Sequence, residues 1–206
     1  MDQKQIIHRY LRISRDALLA KLDGLSERDV RWPMTQTGTN LLGLVKHVAS
    51  VELGYFGEVF ARPSNLPLLW LDEDAEINAD MWATADESRE EIVRLYQQAA
   101  AHADETIEAL TLESPGLVPW WPPERHHVTL QQIMVHVSVE MARHAGHADI
   151  LRELIDGAAG NNDGNLPDQT AEQWAAYRQR LEKAAVEAER LTETADSDRR
   201  SRAASS

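Results

Sequence analysis

Glu140 and His144 lie four residues apart in a segment whose apolar residues have the spacing of a helix. Glutamate and histidine side chains commonly bind metal ions. Residues at positions i and i+4 project from the same side of a helix, about one turn apart. A third potential ligand, His47, lies in a second helical segment. Burying two imidazoles and a carboxylate between helices would be costly without a compensating charge. The three would form a ligand set that suits Zn²⁺ and leaves one coordination position open.

Two further histidines compete for a place in this site. His136 lies one turn before Glu140, and His147 lies about one turn after His144. Either could complete a closed site with four ligands, in which the metal would be structural, and His147 could instead hydrogen-bond to a ligand. A Glu-x-x-x-His pair is also common by chance. The spacing therefore leaves open that Glu140 is a solvated residue and His144 a packed core histidine.

The composition excludes several other chemistries. The chain has 206 residues, and its 21 Lys and Arg against 34 Asp and Glu give a formal charge of −13, so we expect no nucleic-acid partner and no binding to an anionic membrane. It has no Cys, which excludes disulfides, thiolate zinc sites and a cysteine nucleophile. No segment resembles a secretory signal or reaches the roughly 18 apolar residues that span a bilayer. We therefore expect a cytoplasmic protein in which any reactive thiol arrives with a substrate.

Apolar residues recur at helical spacing in five segments, and nothing predicts a strand with confidence. We predict helices over residues 3–22, 40–61, 84–110, 129–155 and from 167 onward. Capping patterns mark three of the starts, at Asn40, Thr84 and Thr129. The apolar face of the first helix is predicted to comprise Ile6, Tyr10, Ile13, Ala17 and Leu18. This pattern predicts an all-α helix bundle over residues 1–157, a connector and C-terminal helix over 158–191, and a disordered tail over 192–206.

Two long loops, 63–83 and 113–127, could cross one end of the bundle and cover a cavity. They carry four tryptophans that could cap a pocket or simply anchor the loops on the bundle, namely Trp70, Trp82, Trp120 and Trp121. His126 and His127 are predicted to lie at the surface of the second loop. Glu52 could support His47 or face solvent, and Arg143 could bind an anionic group of a substrate or form a surface ion pair.

The segments NLLGLVKHVASVELGYF, around His47, and EMARHAGHADILRELIDG, around Glu140 and His144, resemble the DinB-like superfamily. The closer likeness is to the metal-binding domain of mycothiol-dependent maleylpyruvate isomerase, and with the turn at Arg31 and Trp32 it covers most of residues 1–157. The resemblance implies a four-helix bundle in up-down-down-up order, followed here by an additional helix. It also implies a divalent metal held by His47, Glu140 and His144, with Zn²⁺ expected and Ni²⁺ as the alternative.

The resemblance implies an enzyme that uses a small-molecule thiol and an electrophilic substrate, as a mycothiol-type S-transferase or isomerase. A metal would assist by lowering the pKa of the thiol. The isomerase has a second domain that contributes to its active site, whereas one helix and a tail follow the bundle here, so maleylpyruvate isomerisation itself is not expected. A metal-dependent hydrolase and a non-enzymatic metal-binding bundle are the alternatives, and a homodimer is a further expectation.

Overall fold

Helices dominate the part of the chain that the computed structural model describes, which comprises residues 1–68, 70, 72, 74–160 and 166–204. The described α-helices are α1 (Gln3–Ala20), α2 (Glu27–Arg31), α3 (Leu41–Glu52), α4 (Arg89–Ala109), α5 (Leu130–Asp156) and α6 (Ala171–Ala204). A two-stranded antiparallel hairpin, β1 (Pro115–Leu117) and β2 (His127–Thr129), is the sheet within this part of the chain. The predicted all-α class is confirmed.

The first of two units, Met1–Asn161, has its core between four long helices. Helix α5 packs against α1 and α3, and α3 packs against α4. Helix α3 is buried along most of its length, which follows from its nearly continuous apolar sequence. The side chains of Asn40 and Thr129 cap α3 and α5, as their sequence patterns predicted. These caps fix the starts of the two helices that carry His47, Glu140 and His144.

Helix α1 buries only part of the predicted face: Leu18 is buried, as predicted. Ile6, Tyr10 and Ile13 are exposed, whereas Leu11 and Arg15 are buried. The prediction failed because Arg15 occupies a core position, where a charged residue is not expected. Its guanidinium is paired there with buried and half-buried carboxylates, which compensates the cost of burial.

The segment predicted as one helix over 40–61 is divided into three conformations. After α3, residues Leu53–Gly57 form a π-helical turn, Glu58–Phe60 form a 3₁₀ turn, and Ala61 ends the segment in the left-handed region with φ 52°. A π turn rotates the following side chains relative to a regular helix and is frequent at functional sites. Here it includes Gly54, where an added Cβ would lie 3.3 Å from the ring of Trp120. The glycine thus permits the ring to approach the helix backbone.

Helix α4 begins later than predicted. Its N-cap is Ser88, and the capping box comprises Ser88 and Glu91. The sequence pattern at Thr84 and Glu87 instead closes a separate turn, in which the backbone N–H of Thr84 donates to Glu87 Oε2 at 2.8 Å. Two capping patterns therefore follow each other closely, and the second one starts the helix.

The hairpin was not predicted, because its strands are only three residues long. It pairs Pro115 with Thr129 and Leu117 with His127. An added Cβ at Gly116 would lie 2.8 Å from Val59 and Phe60, so the hairpin lies directly against the 3₁₀ turn. This contact places the tryptophans between the two strands beside the end of α3.

The second unit, Asn162–Ser206, contains α6. The helix continues to Ala204, so it includes most of the tail for which the composition predicts disorder. The predicted boundaries 1–157, 158–191 and 192–206 stay predictions. None of the described helices is long and apolar enough to cross a membrane.

Candidate metal centre

Three side chains from α3 and α5 meet at one point of the first unit. The carboxylate Oε1 of Glu140 lies 3.0 Å from His144 Nε2 and 3.8 Å from His47 Nε2. One potential ligand atom from each residue lies within 4.8 Å of those of the other two. The structure therefore brings together the three residues that the sequence singled out, although their binding of a metal stays a prediction.

The separations suit a small divalent cation. Ligand atoms held about 2.1 Å from a tetrahedral Zn²⁺ lie roughly 3.4 Å apart. The two measured separations, 3.0 and 3.8 Å, lie on either side of that distance. Two imidazole nitrogens and one carboxylate oxygen are also the donor types found in open zinc sites. The donor types and these two separations thus fit a divalent metal.

His47 is oriented by a residue that the sequence did not single out. Asp80, in the 3₁₀ turn Ala79–Met81, lies with Oδ2 2.6 Å from His47 Nδ1. An ionised Asp80 accepts a hydrogen bond from the Nδ1–H of His47, and in this tautomer the Nε2 atom, on the side of Glu140, carries the lone pair. Asp80 was missed because it lies in a loop with several other acidic residues, and loop sequence carries no periodicity that selects one of them.

Electrostatics favour the protonation states that a metal requires. Burial, together with neighbouring His47, lowers the pKa of His144 below its ordinary value and keeps the imidazole neutral. Burial would raise the pKa of Glu140, but hydrogen bonding to His144 and the nearby imidazoles hold it below its usual range. The hydrogen bond to His47 lowers the pKa of Asp80. Near neutral pH, the centre therefore offers a neutral imidazole at His144 and two ionised carboxylates.

The centre opens into a cavity of about 660 Å³. His47, Glu140 and Asp80 are among its polar lining residues, and Tyr55 and Trp120 contribute aromatic rings with centroids 5.3 Å apart. The cavity is large enough for a small organic substrate beside the three candidate ligands.

The competing histidines have other surroundings. The ring of His136 packs between Tyr55 and Trp121, at centroid distances of 4.8 and 5.0 Å, and lines the cavity. His147 lies with its ring centroid 5.4 Å from that of His144. Neither belongs to the group of converging ligand atoms found among the described residues. A closed site with four ligands thus receives no support from this geometry.

The tryptophans divide between the two predicted roles. Trp120 lines the cavity, and the indole N–H of Trp121 donates to Tyr55 Oη at 3.1 Å. Trp70 instead anchors its loop, because its indole N–H donates to Ser50 Oγ at 2.8 Å. Trp82 is 41% exposed.

Glu52 differs from both of its predicted roles, whereas Arg143 lies at the surface, which was one of its two predicted positions. Glu52 neither supports His47 nor faces solvent, because it is 1% exposed and pairs with Arg15. Arg143 is exposed and is not among the described residues that line the cavity. His127 is the first residue of β2 and His126 precedes it, with ring centroids 4.3 Å apart, and neither is among the described residues that line the cavity.

The fold and the converging side chains define an all-α, DinB-like protein with a candidate metal centre. Residues 6–157 match the mycothiol-S-transferase family, and the chain belongs to it. A crystal structure of a conserved protein from Enterococcus faecalis is similar in fold, with a TM-score of 0.54 and 18% identity, over 77% of this chain and 99% of that chain. The comparison with curated proteins gave no match.

Proposed function

We propose that the protein is a metal-dependent S-transferase that joins a low-molecular-weight thiol of the mycothiol type to an electrophile. The observation that carries the proposal is the convergence of His47, Glu140 and His144 beside an open cavity that His47 and Glu140 line. Membership of the mycothiol-S-transferase family supports the nature of the thiol. The absence of Cys from the sequence also fits a thiol that is supplied by a cosubstrate.

The three converging side chains would hold the ion, and Asp80 would fix the ring of His47. A divalent cation there would lower the pKa of a thiol that it binds, so that the thiolate is present at neutral pH. The cavity residues would orient the electrophile beside the sulfur. In the transfer, the sulfur forms a bond to the electrophilic carbon, the leaving group departs with its bonding electron pair, and the thiol proton passes to solvent.

The cavity favours an electrophile without negative charge. Three carboxylates line it, those of Glu58, Asp80 and Glu140, and none of the described lining residues is Lys or Arg. These carboxylates would therefore repel an anionic substrate, and a bound cation would offset only part of that repulsion. The aromatic wall of Tyr55 and Trp120 suits a flat apolar group. We infer a neutral, flat electrophile as the substrate class.

A direct test combines metal-replete expression, determination of metal content, and an assay of S-conjugation with mycothiol. Two matched electrophiles would be compared, a benzyl chloride with a neutral para-methyl group and one with a para-carboxylate. We expect conjugate formation and a preference of about three- to tenfold in kcat/KM for the neutral compound. Absence of conjugate with a metal-loaded protein, across a panel of electrophiles, would refute the S-transferase.

The charge preference is tested separately with Glu58→Lys, which should reduce or reverse the preference, and Glu90→Lys on exposed α4 surface is the matched control. Conjugation of both electrophiles with equal efficiency would be consistent with the proposed transferase activity and would refute only the proposed substrate class. Incorporation of solvent oxygen into a product would instead indicate a hydrolase.

A further inference from the structure

Helix α6 carries a regular apolar stripe that lies outside the region matched by the family. Its members are spaced by alternating steps of three and four residues: Trp174, Tyr177, Leu181, Ala184, Ala188 and Leu191. This is the spacing of the a and d positions of a coiled coil. The large residues of the stripe are substantially exposed, including Tyr177 at 41% and Leu181 at 52%. A stripe of this kind normally faces another helix.

We propose that α6 pairs with α6 of a second copy of the chain in antiparallel orientation. In one antiparallel register, each residue of the stripe faces another residue of the stripe. Trp174 faces Leu191 of the partner subunit, Tyr177 faces the partner's Ala188, and Leu181 faces the partner's Ala184. Each layer occurs twice about the twofold axis, so that the four inner layers each pair a large side chain with alanine and the two outer layers pair tryptophan with leucine. The paired region extends from Trp174 to Leu191, which is roughly 26 Å of helix.

The charges beside the stripe are complementary in the same register. Arg180 precedes Leu181 by one residue, and Glu187 follows Ala184 by three, so both occupy g positions. Residues at g positions face each other across an antiparallel pair, which places Arg180 beside the partner's Glu187, and Glu187 beside Arg180 of the partner subunit. Within one chain, both carboxylate oxygens of Glu187 accept hydrogen bonds from Arg190, at 2.8 and 2.7 Å. Each oxygen has a second lone pair that can accept from Arg180 of the partner subunit.

A parallel arrangement lacks both forms of complementarity. It would stack Trp174 on Trp174 of the partner subunit and pair the alanine layers with each other. The flanking residue Arg180 would then meet the partner's Ala185, and Glu187 would meet Thr192 of the partner subunit, so no opposite charges would pair. The antiparallel register is therefore the one that the sequence of α6 specifies.

The first test is the mass of the full chain, measured by analytical ultracentrifugation over a range of concentrations. We expect a monomer–dimer equilibrium in which Leu181→Asp raises the dissociation constant roughly a hundredfold, since two copies of a buried leucine are lost. Val186→Asp, on the opposite side of α6, is the matched control and should change it by less than about twofold. A wild-type chain that stays monomeric at its highest soluble concentration overturns the proposal. So does a dimer that Leu181→Asp leaves intact.

The competing occupant of the stripe is the first unit of the same chain. In that case Leu181→Asp would lower the midpoint of thermal unfolding without changing the mass, and this outcome overturns the proposal. Charge reversal probes the register directly: Arg180→Glu and Glu187→Arg should each weaken the dimer about fivefold, and the double variant should restore it. Failure of the double variant to restore dimerisation overturns the register.

Orientation is tested by crosslinking, which the Cys-free sequence makes unambiguous. Chains with Tyr177→Cys and chains with Ala188→Cys would be mixed and oxidised. The antiparallel register predicts disulfide-linked dimers that contain one chain of each kind, because these positions face each other. Dimers that form only within each single variant would show a parallel pair and contradict the proposal.

Discussion

Helix α3 contributes to two polar clusters, and only one of them contains an arginine. His47 belongs to the candidate metal centre, with Glu140, His144 and Asp80. Glu52, five residues further along, belongs to a second cluster in the bundle interior. There Arg15 Nε lies 2.6 Å from Glu52 Oε1, and Arg15 Nη1 lies 2.5 Å from Asp104 Oδ1. The two clusters share a helix but have different chemistry.

The second cluster, Arg15–Glu52–Asp104, contains its own cation and lies outside the cavity lining. Burial raises the pKa of Glu52, and the charge and hydrogen bond of Arg15 oppose that rise. His8 adds a contact of 2.7 Å to Asp104. Such a cluster ties α1, α3 and α4 together. The candidate metal centre has the carboxylates of Glu140 and Asp80, which form ion pairs with histidines and with no lysine or arginine among the described residues, and it opens to the cavity.

The comparison indicates how to distinguish a structural polar cluster from a binding site. A buried carboxylate that a protein cation already compensates has a structural explanation. Carboxylates that converge with imidazoles on an open cavity, without such a cation, favour an external one. The contrast predicts that each cluster can be disrupted without loss of the other's property.

The largest expected effect is on metal affinity. His144→Ala removes one of three candidate ligands and should lower the affinity for Zn²⁺ by roughly a thousandfold or more, measured by calorimetric titration. His8→Ala, which alters the Arg15–Glu52–Asp104 cluster instead, is the control and should retain the wild-type affinity. Equal affinities for the wild type and His144→Ala would remove His144 from the ligand set.

Disrupting the other cluster should affect folding. Arg15→Ala leaves Glu52 buried without its counter-charge and should lower the free energy of unfolding by about 3–5 kcal/mol, measured by urea titration. Arg94→Ala, which breaks an exposed ion pair with Glu91, should cost less than about 1 kcal/mol. The metal content of folded Arg15→Ala should equal that of the wild type. A loss of metal from the folded variant would show that the clusters are coupled.

A smaller effect is expected when the orientation of a ligand is changed. Asp80→Asn weakens the hydrogen bond that fixes His47 and should reduce metal affinity about ten- to a hundredfold, with little change in unfolding free energy. Asp74→Asn, in the same loop and exposed, is the matched control. Unchanged affinity in Asp80→Asn would show that Asp80 does not orient the ligand.

The smallest expected effect is on how the free energy of unfolding depends on pH in acid. Burial would raise the pKa of Asp104, but hydrogen bonding and charge from Arg15, with the His8 contact, hold it below its ordinary value. A depressed folded-state pKa contributes stability above the ordinary carboxyl pKa, and this contribution is lost as the pH falls through the folded-state value. Asp104→Asn should therefore make unfolding free energy less dependent on pH below about 4. An unchanged pH dependence between pH 3 and 5 would contradict this assignment.

Much of the candidate centre could be predicted because its ligands lie on long helices with clear apolar spacing. The caps at Asn40 and Thr129 and the i, i+4 relation of Glu140 and His144 fixed their local geometry. Periodicity failed at α1, because Arg15 occupies a core position that only its partners on α3 and α4 explain. Asp80 and the hairpin depend on loop conformation, which short segments without a repeating pattern do not reveal.

The most direct test of the metal centre is a crystal structure of the zinc-loaded protein with anomalous diffraction at the zinc edge. We predict one strong anomalous peak at about 2.0–2.2 Å from His47 Nε2, a Glu140 carboxylate oxygen and His144 Nε2, with a coordination position facing the cavity. A peak elsewhere would contradict the assignment of the three ligands. A fourth protein ligand that closed the site, such as His136 or His147, would contradict its proposed role in S-transfer.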